Sequence, residues 1–217
     1  MKRIIQLSLI GFLIGIAHLT SAQVQLAVGL KGGLNFAKLD GHSTVTQNYG
    51  SRTGYHLGAY AMLKISKFAL QPEIIFSRQG QSFSYNSQSL SSNYDYINIP
   101  IMIKFYLAAG LNLQVGPQFG FLAGAKGDVI NSSGPAVSVD QDIRHFVKSS
   151  DLSLGFGFGW DLPLGINIGA RYNLGLSDIN KDTGKSNPPQ TTSMGSVQAK
   201  NQVIQISIGY RLFKIGK

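Results

Sequence analysis

Seven charged residues fall where strand alternation would carry them to one shared face: Lys31, Lys64, Lys104, Arg171 and Arg211, against Glu73 and Asp161. If that face is enclosed, each charge costs several kcal/mol unless it is paired and hydrogen-bonded. The expectation is a charge network of Glu73, Arg171, Lys104, Lys31 and Arg211, with Glu73 pairing with Arg171, Lys104 or both. The surplus of positive charge would also suit a narrow, anion-preferring pore. His56 and Ser77 lie on rows of the same kind, and a His–Ser pair can support acyl transfer or hydrolysis. No nucleophile elbow surrounds Ser77 and no orienting carboxylate lies near His56 in the sequence, so no catalytic residue is assigned. His18, His42, His56 and His145 show no metal-ligand spacing, and Cys is absent. No metal and no cofactor are expected. Gly32-Gly33 and the Gly155, Gly157, Gly159 run are followed by strand patterns, where a phosphate loop needs a helix N-terminus.

The elements that position these residues follow from a period of two. From Leu164 to Ser177 every second residue is apolar or aromatic: Leu164, Ile166, Ile168, Ala170, Tyr172, Leu174 and Leu176. The intervening row is small, polar or charged. Side chains on a strand alternate faces, so this reads as one long strand with an oily and a wet face. Seven further stretches repeat the pattern: Val24 to Phe36, Gly54 to Ile65, Phe68 to Gln79, Asp95 to Leu107, Leu111 to Ala123, Leu152 to Leu162 and Gln202 to Phe213. Pro72, Pro100 and Pro117 each remove a ladder donor and are expected to mark bulges or strained positions. Connections alternate in length. Long ones cover about residues 37–53, 80–94, 124–151 and 178–201, rich in Ser, Asn, Gly, Gln and Asp and read as solvated, mobile loops. Short ones are Ser66-Lys67, Ala108 to Gly110 and Pro163.

Which row faces outward decides the class. A soluble barrel would turn its polar rows to water and load them with Lys and Glu. These rows instead carry Gly, Asn, Gln and Ser with one or two charges each, and the apolar rows are almost free of charge. Charged residues make up 13% of the chain, against ~25% in soluble domains. Tyr55, Phe76, Phe105, Tyr172 and Trp160 often lie near strand ends, as interfacial girdles do. The pattern predicts an all-β fold: an eight-stranded antiparallel up-and-down transmembrane β-barrel with short periplasmic turns and long extracellular loops. A barrel of eight strands is filled by its own side chains. The net charge of +9 is spread about one basic residue per strand, which argues against a nucleic-acid partner.

Lys2 and Arg3, the mostly apolar run Ile4 to Leu19, and Thr20-Ser21-Ala22 form the pattern of a secretory signal peptide. The reading is a signal peptide over 1–22 and an outer-membrane barrel domain over 23–217, in a Gram-negative bacterium. An uncleaved anchor helix is the alternative for the leader.

The chain resembles the PorT-like outer-membrane β-barrel family common in Bacteroidota. The resemblance rests on the segments Gly29 to Asn35, Leu70 to Ile74 with Ser77 to Gly80, Tyr96 to Lys104, Gln114 to Gly120, Gly169 to Leu176 and Gln205 to Phe213. It implies the fold, and through the family's name-giving member it raises a role in protein secretion. The function expected is a structural or binding barrel with a side-chain-filled polar lumen. It would sit in outer-membrane lipid and meet envelope proteins or extracellular ligands through its four long loops. A narrow pore or transport accessory is the alternative, and a lipid-modifying enzyme comes after it.

Overall fold

The computed structural model describes residues 24–41, 49–85, 88–129, 137–142, 144, 147–177 and 199–216. The proposed signal peptide, His42, His145 and most of the connection 178–201 lie outside the described residues. Among the described residues there are nine strands: β1 (Val24–Gly41), β2 (Tyr49–Ile65), β3 (Phe68–Tyr85), β4 (Gln88–Tyr106), β5 (Leu111–Val129), β6 (Val137–Asp142), β7 (Ser150–Asp161), β8 (Ile166–Gly175) and β9 (Ala199–Ile215). Eight of them close into an antiparallel up-and-down barrel. Neighbours in sequence pair with one another, β5 pairs with β7, and β9 returns to β1 from Leu26↔Ile215 to Gly41↔Ala199. β6 stands outside this ring and pairs with the upper end of β5.

The face assignment follows the alternation. Leu30, Ile74, Ile103, Phe119, Phe158, Ile206 and their row-mates point outward and are exposed, whereas Lys31, Glu73, Lys104, Gln118, Arg171 and Gln205 point inward and are buried. An exposed apolar wall all round a closed ring fits hydrocarbon, where every backbone polar group must be paired internally. Phe68 and Phe105 pair across strands with ring centroids 5.2 Å apart. The Trp160 indole N–H donates to the Ala109 carbonyl at 2.8 Å.

Two turns at the short end show why particular residues stand there. Ala109 (φ 52°) with Gly110 (φ 83°), and Leu164 (φ 65°) with Gly165 (φ 88°), each place two consecutive residues at positive φ. Two-residue turns of that hand match the twist of the strands they join. The second turn occupies Pro163–Gly165, so β8 starts at Ile166 rather than at Leu164.

The long connections depart most from expectation. Much of 37–53, 80–94 and 124–151 is strand: β3 runs to Tyr85, β4 starts at Gln88, and their ladder holds from Phe68↔Phe105 to Tyr85↔Gln88. β4 has 19 residues. At ~3.3 Å per residue and a tilt of ~40° it rises about 45–50 Å, well beyond the ~25 Å apolar band of an outer-membrane barrel. The hairpins therefore project past the membrane on the long-loop side. The prolines also differ from expectation. Register is unchanged across Pro72, Pro100 and Pro117. Register shifts fall instead between Val28 and Gly29, between Ser51 and His56, between Asp95 and Tyr96, and between Gly127 and Val129. A one-residue slip within the band would turn an oily row inward, so the alternation holds the register even where a donor is missing.

The outward row near mid-wall offers a test. Ile206→Lys should lower the unfolding free energy in lipid vesicles by about 2–4 kcal/mol, the cost of a charge on the lipid face near the midplane. Urea titration of the refolded protein measures it, and an unchanged midpoint would contradict the face assignment.

Candidate functional site

The lumen is built in three levels. At the middle level β1, β3 and β8 deliver Lys31, Glu73 and Arg171. Arg171 grips Glu73 with two parallel bonds, Nη1 to Oε2 at 3.1 Å and Nη2 to Oε1 at 2.8 Å. Lys31 Nζ lies 3.3 and 3.2 Å from the two carboxylate oxygens. Gln71 Nε2 adds a bond to Oε1 at 2.8 Å. Arg171 Nη2 also donates to Gln114 Oε1 at 3.1 Å, Gln114 Nε2 to Asn112 Oδ1 at 2.9 Å, and Asn112 Nδ2 to the Gly110 carbonyl at 3.2 Å. Polar bonding thus runs unbroken from mid-barrel to a short turn. The glycines of β7 leave room for it. A Cβ on Gly155 would lie 3.3 Å from Arg171 Cδ, and one on Gly159 would run into Gln114 Nε2.

Toward the short turns, Asp161 replaces Glu73 as the acid. It accepts from the Tyr106 hydroxyl at 2.5 Å and pairs with Lys104 Nζ at 3.6 Å. Lys64 Nζ sits over the Tyr106 ring, 3.7 Å from its centroid. Such a stack is worth ~0.5–2 kcal/mol. Arg211 lines a small cavity here with Tyr60, Asp161 and Asn167. Of the five residues expected to form one network, the structure joins Lys31 and Arg171 to Glu73. It gives Lys104 to Asp161, and it keeps Arg211 at the lower level.

Toward the long loops, Asn35 is the hub. Its amide nitrogen donates to Ser77 Oγ (2.9 Å) and to the carbonyls of Tyr55 and Arg78 (3.1 Å each). That fixes Asn35 Oδ1 as an acceptor. It receives His56 Nδ1–H at 2.8 Å and Gln205 Nε2 at 3.2 Å. His56 and Ser77 are both buried, and each bonds Asn35 rather than the other among the described residues. A catalytic pair needs the base on the nucleophile and access for a substrate. Higher still, Arg78 and Asp95 make a two-point ion pair at 2.7 and 2.8 Å. Asp151 accepts from Ser177 and Asn201. Sequence reading missed Asn35, whose partners come from three other strands, β2, β3 and β9.

The middle level should be the costliest to break. Glu73→Gln leaves two buried cations without their counter-charge and should destabilise the barrel by about 3–5 kcal/mol, whereas replacing the charged cluster by well-packed apolar residues of similar volume should cost far less. Urea unfolding in vesicles, read by tryptophan emission, separates these outcomes.

Comparison with known proteins returns the same architecture. A family described as outer membrane protein beta-barrel domain matches residues 21–181. Among solved structures, Neisserial surface protein A (NspA) aligns with a TM-score of 0.50 at 14% identity, over 85% of this chain and 97% of that one. Ail, the attachment invasion locus protein of Yersinia pestis, solved with the heparin analogue sucrose octasulfate, aligns at 0.47 and 13%, over 88% and 99%. The outer membrane protein OprG from Pseudomonas aeruginosa aligns at 0.42 and 12%, over 90% and 97%. No curated protein matches the chain. The likeness to NspA is one of fold. The family match begins just before β1 and runs past β8, over every barrel strand but β9, and on that ground the chain belongs to the outer membrane protein beta-barrel domain family.

Proposed function

We propose that this protein is a closed, non-conducting outer-membrane barrel that works through its extracellular hairpins and loops, as a structural or binding element of the cell envelope. The observation that carries this reading is the salt-bridged cluster of Lys31, Glu73 and Arg171, which ties three strands together across the middle of the lumen. The projection of β3, β4 and β5 beyond the apolar band supports a role at the outer surface. The leader over 1–22 is removed on export, leaving 23–217 as the barrel domain. The motifs shared with the PorT-like family fit a Bacteroidota-type envelope, with other envelope proteins or extracellular ligands as partners.

A second reading, a narrow anion-preferring pore or a secretion accessory, is favoured by the positive surplus inside. A lipid-modifying activity has less support, because His56 and Ser77, opposite each other across β2 and β3, are both buried and each bonds Asn35.

Planar-bilayer recording tests the closed reading. The wild-type protein, shown to be folded by heat-modifiable gel mobility, should give no conductance steps. The triple variant Lys31→Ala, Glu73→Ala, Arg171→Ala should open them. Anion-selective steps from the wild type would overturn the plug and favour the pore.

A further inference from the structure

The ion cluster does not balance. Lys31, Lys104 and Arg171 are each about nine-tenths buried or more, and they share a cavity wall with Asp161. Glu73 is bonded to two of the three. Three cations stand against two acids, so the enclosed cluster carries one excess positive charge. Lys64 and Arg211, on the short-turn side, add to the surplus rather than relieve it. An unbalanced charge inside a narrow barrel is costly.

The cavity between these groups is about 20 Å³. That is enough for one water-sized body. Its cationic groups come from three different strands, β1, β4 and β8. Asp161, the acid on that wall, is already held by Lys104 and by the Tyr106 hydroxyl. Amide and hydroxyl side chains, Gln114, Gln205 and Ser207 among them, line it too, beside Phe158 and the Ile168 to Ala170 segment. Size and charge together narrow the occupant. A water-sized monoanion fits this volume and balances the single excess charge of these three cations and two acids. A neutral water would fill the volume and leave the charge uncompensated.

We infer that the cavity bounded by Lys31, Lys104 and Arg171 is a resident site for a single halide ion, chloride under ordinary conditions, which neutralises the barrel's central ion cluster. The site sits within the plug and depends on the cluster and its cavity, whatever the loops bind. Because the ion binds the folded barrel and has no such cage in the unfolded chain, it stabilises the fold in proportion to its concentration.

The test uses the full barrel domain refolded in detergent. Crystals grown in bromide should show an anomalous peak inside the cavity. In solution, the thermal midpoint of heat-modifiable mobility should climb with each tenfold rise in chloride or bromide. It should stay lower in gluconate at equal ionic strength, which holds surface screening constant. Lys104→Gln balances the cluster without an ion and should lose the halide response, while Lys67→Gln, on an exposed turn, should keep it. Water density without anomalous signal in the cavity, or equal midpoints in chloride and gluconate for the wild type, would overturn the site. The bromide measurement needs no variant, so a misfolded Lys104→Gln leaves the inference open to refutation. Conductance is read separately, so a conducting barrel with bound bromide would sink the closed reading and leave this one standing.

Discussion

The rest of this structure depends on the absence of water in the hydrocarbon layer. A strand with an unpaired edge there would leave a row of N–H and C=O groups without partners, each costing several kcal/mol. The pairing of β9 back onto β1 removes that edge and makes one ring of eight strands. Closure at eight strands then fixes how wide the inside can be. Apolar rows outside and crowded polar side chains inside are two results of the same condition.

Crowding explains the order found in the lumen. Long cationic side chains from opposite walls must meet, and they meet at two acids placed at different depths, Glu73 and Asp161. Neutral amides spread the bonding outward from both. Gly155 and Gly159 of β7 matter because they are empty: the space a side chain would have taken is occupied by Arg171 and Asn173 at the first and by Gln114 and Asn112 at the second. Above this, Asn35 gathers His56 and Ser77 into one buried hydrogen-bonded set.

The strands and their faces were legible because lipid imposes a strict period of two, and that signal is present from Val24 to Phe213. Past the apolar band lipid no longer faces one row and the period loses its cause. For this reason the upper parts of β3 and β4 read as loops although their ladder continues to Tyr85↔Gln88. The composition of each row showed which charges share the interior, but not their partners. Glu73 meets a residue 42 positions before it and another 98 positions after it. That choice is set by strand tilt and stagger around the ring, which no single strand encodes, so Lys31 rather than Lys104 joins Arg171 on Glu73. The prolines were misread for a related reason. A missing donor is a local property, whereas register is held by the whole oily row.

The seam between β1 and β9 also governs how the molecule can form. It joins the first described strand to the last, so its partners meet only after everything between them has been delivered. Contacts of such long sequence separation are slow to form, because loop entropy is lost before they repay it. Until the seam closes, both β1 and β9 present open edges, the feature that invites pairing with other chains. A protein built this way is safest when it is kept extended through the periplasm and offered a place to curl up all at once. The seam thus makes assembly a single late event and gives the cell a reason to chaperone the chain up to that moment.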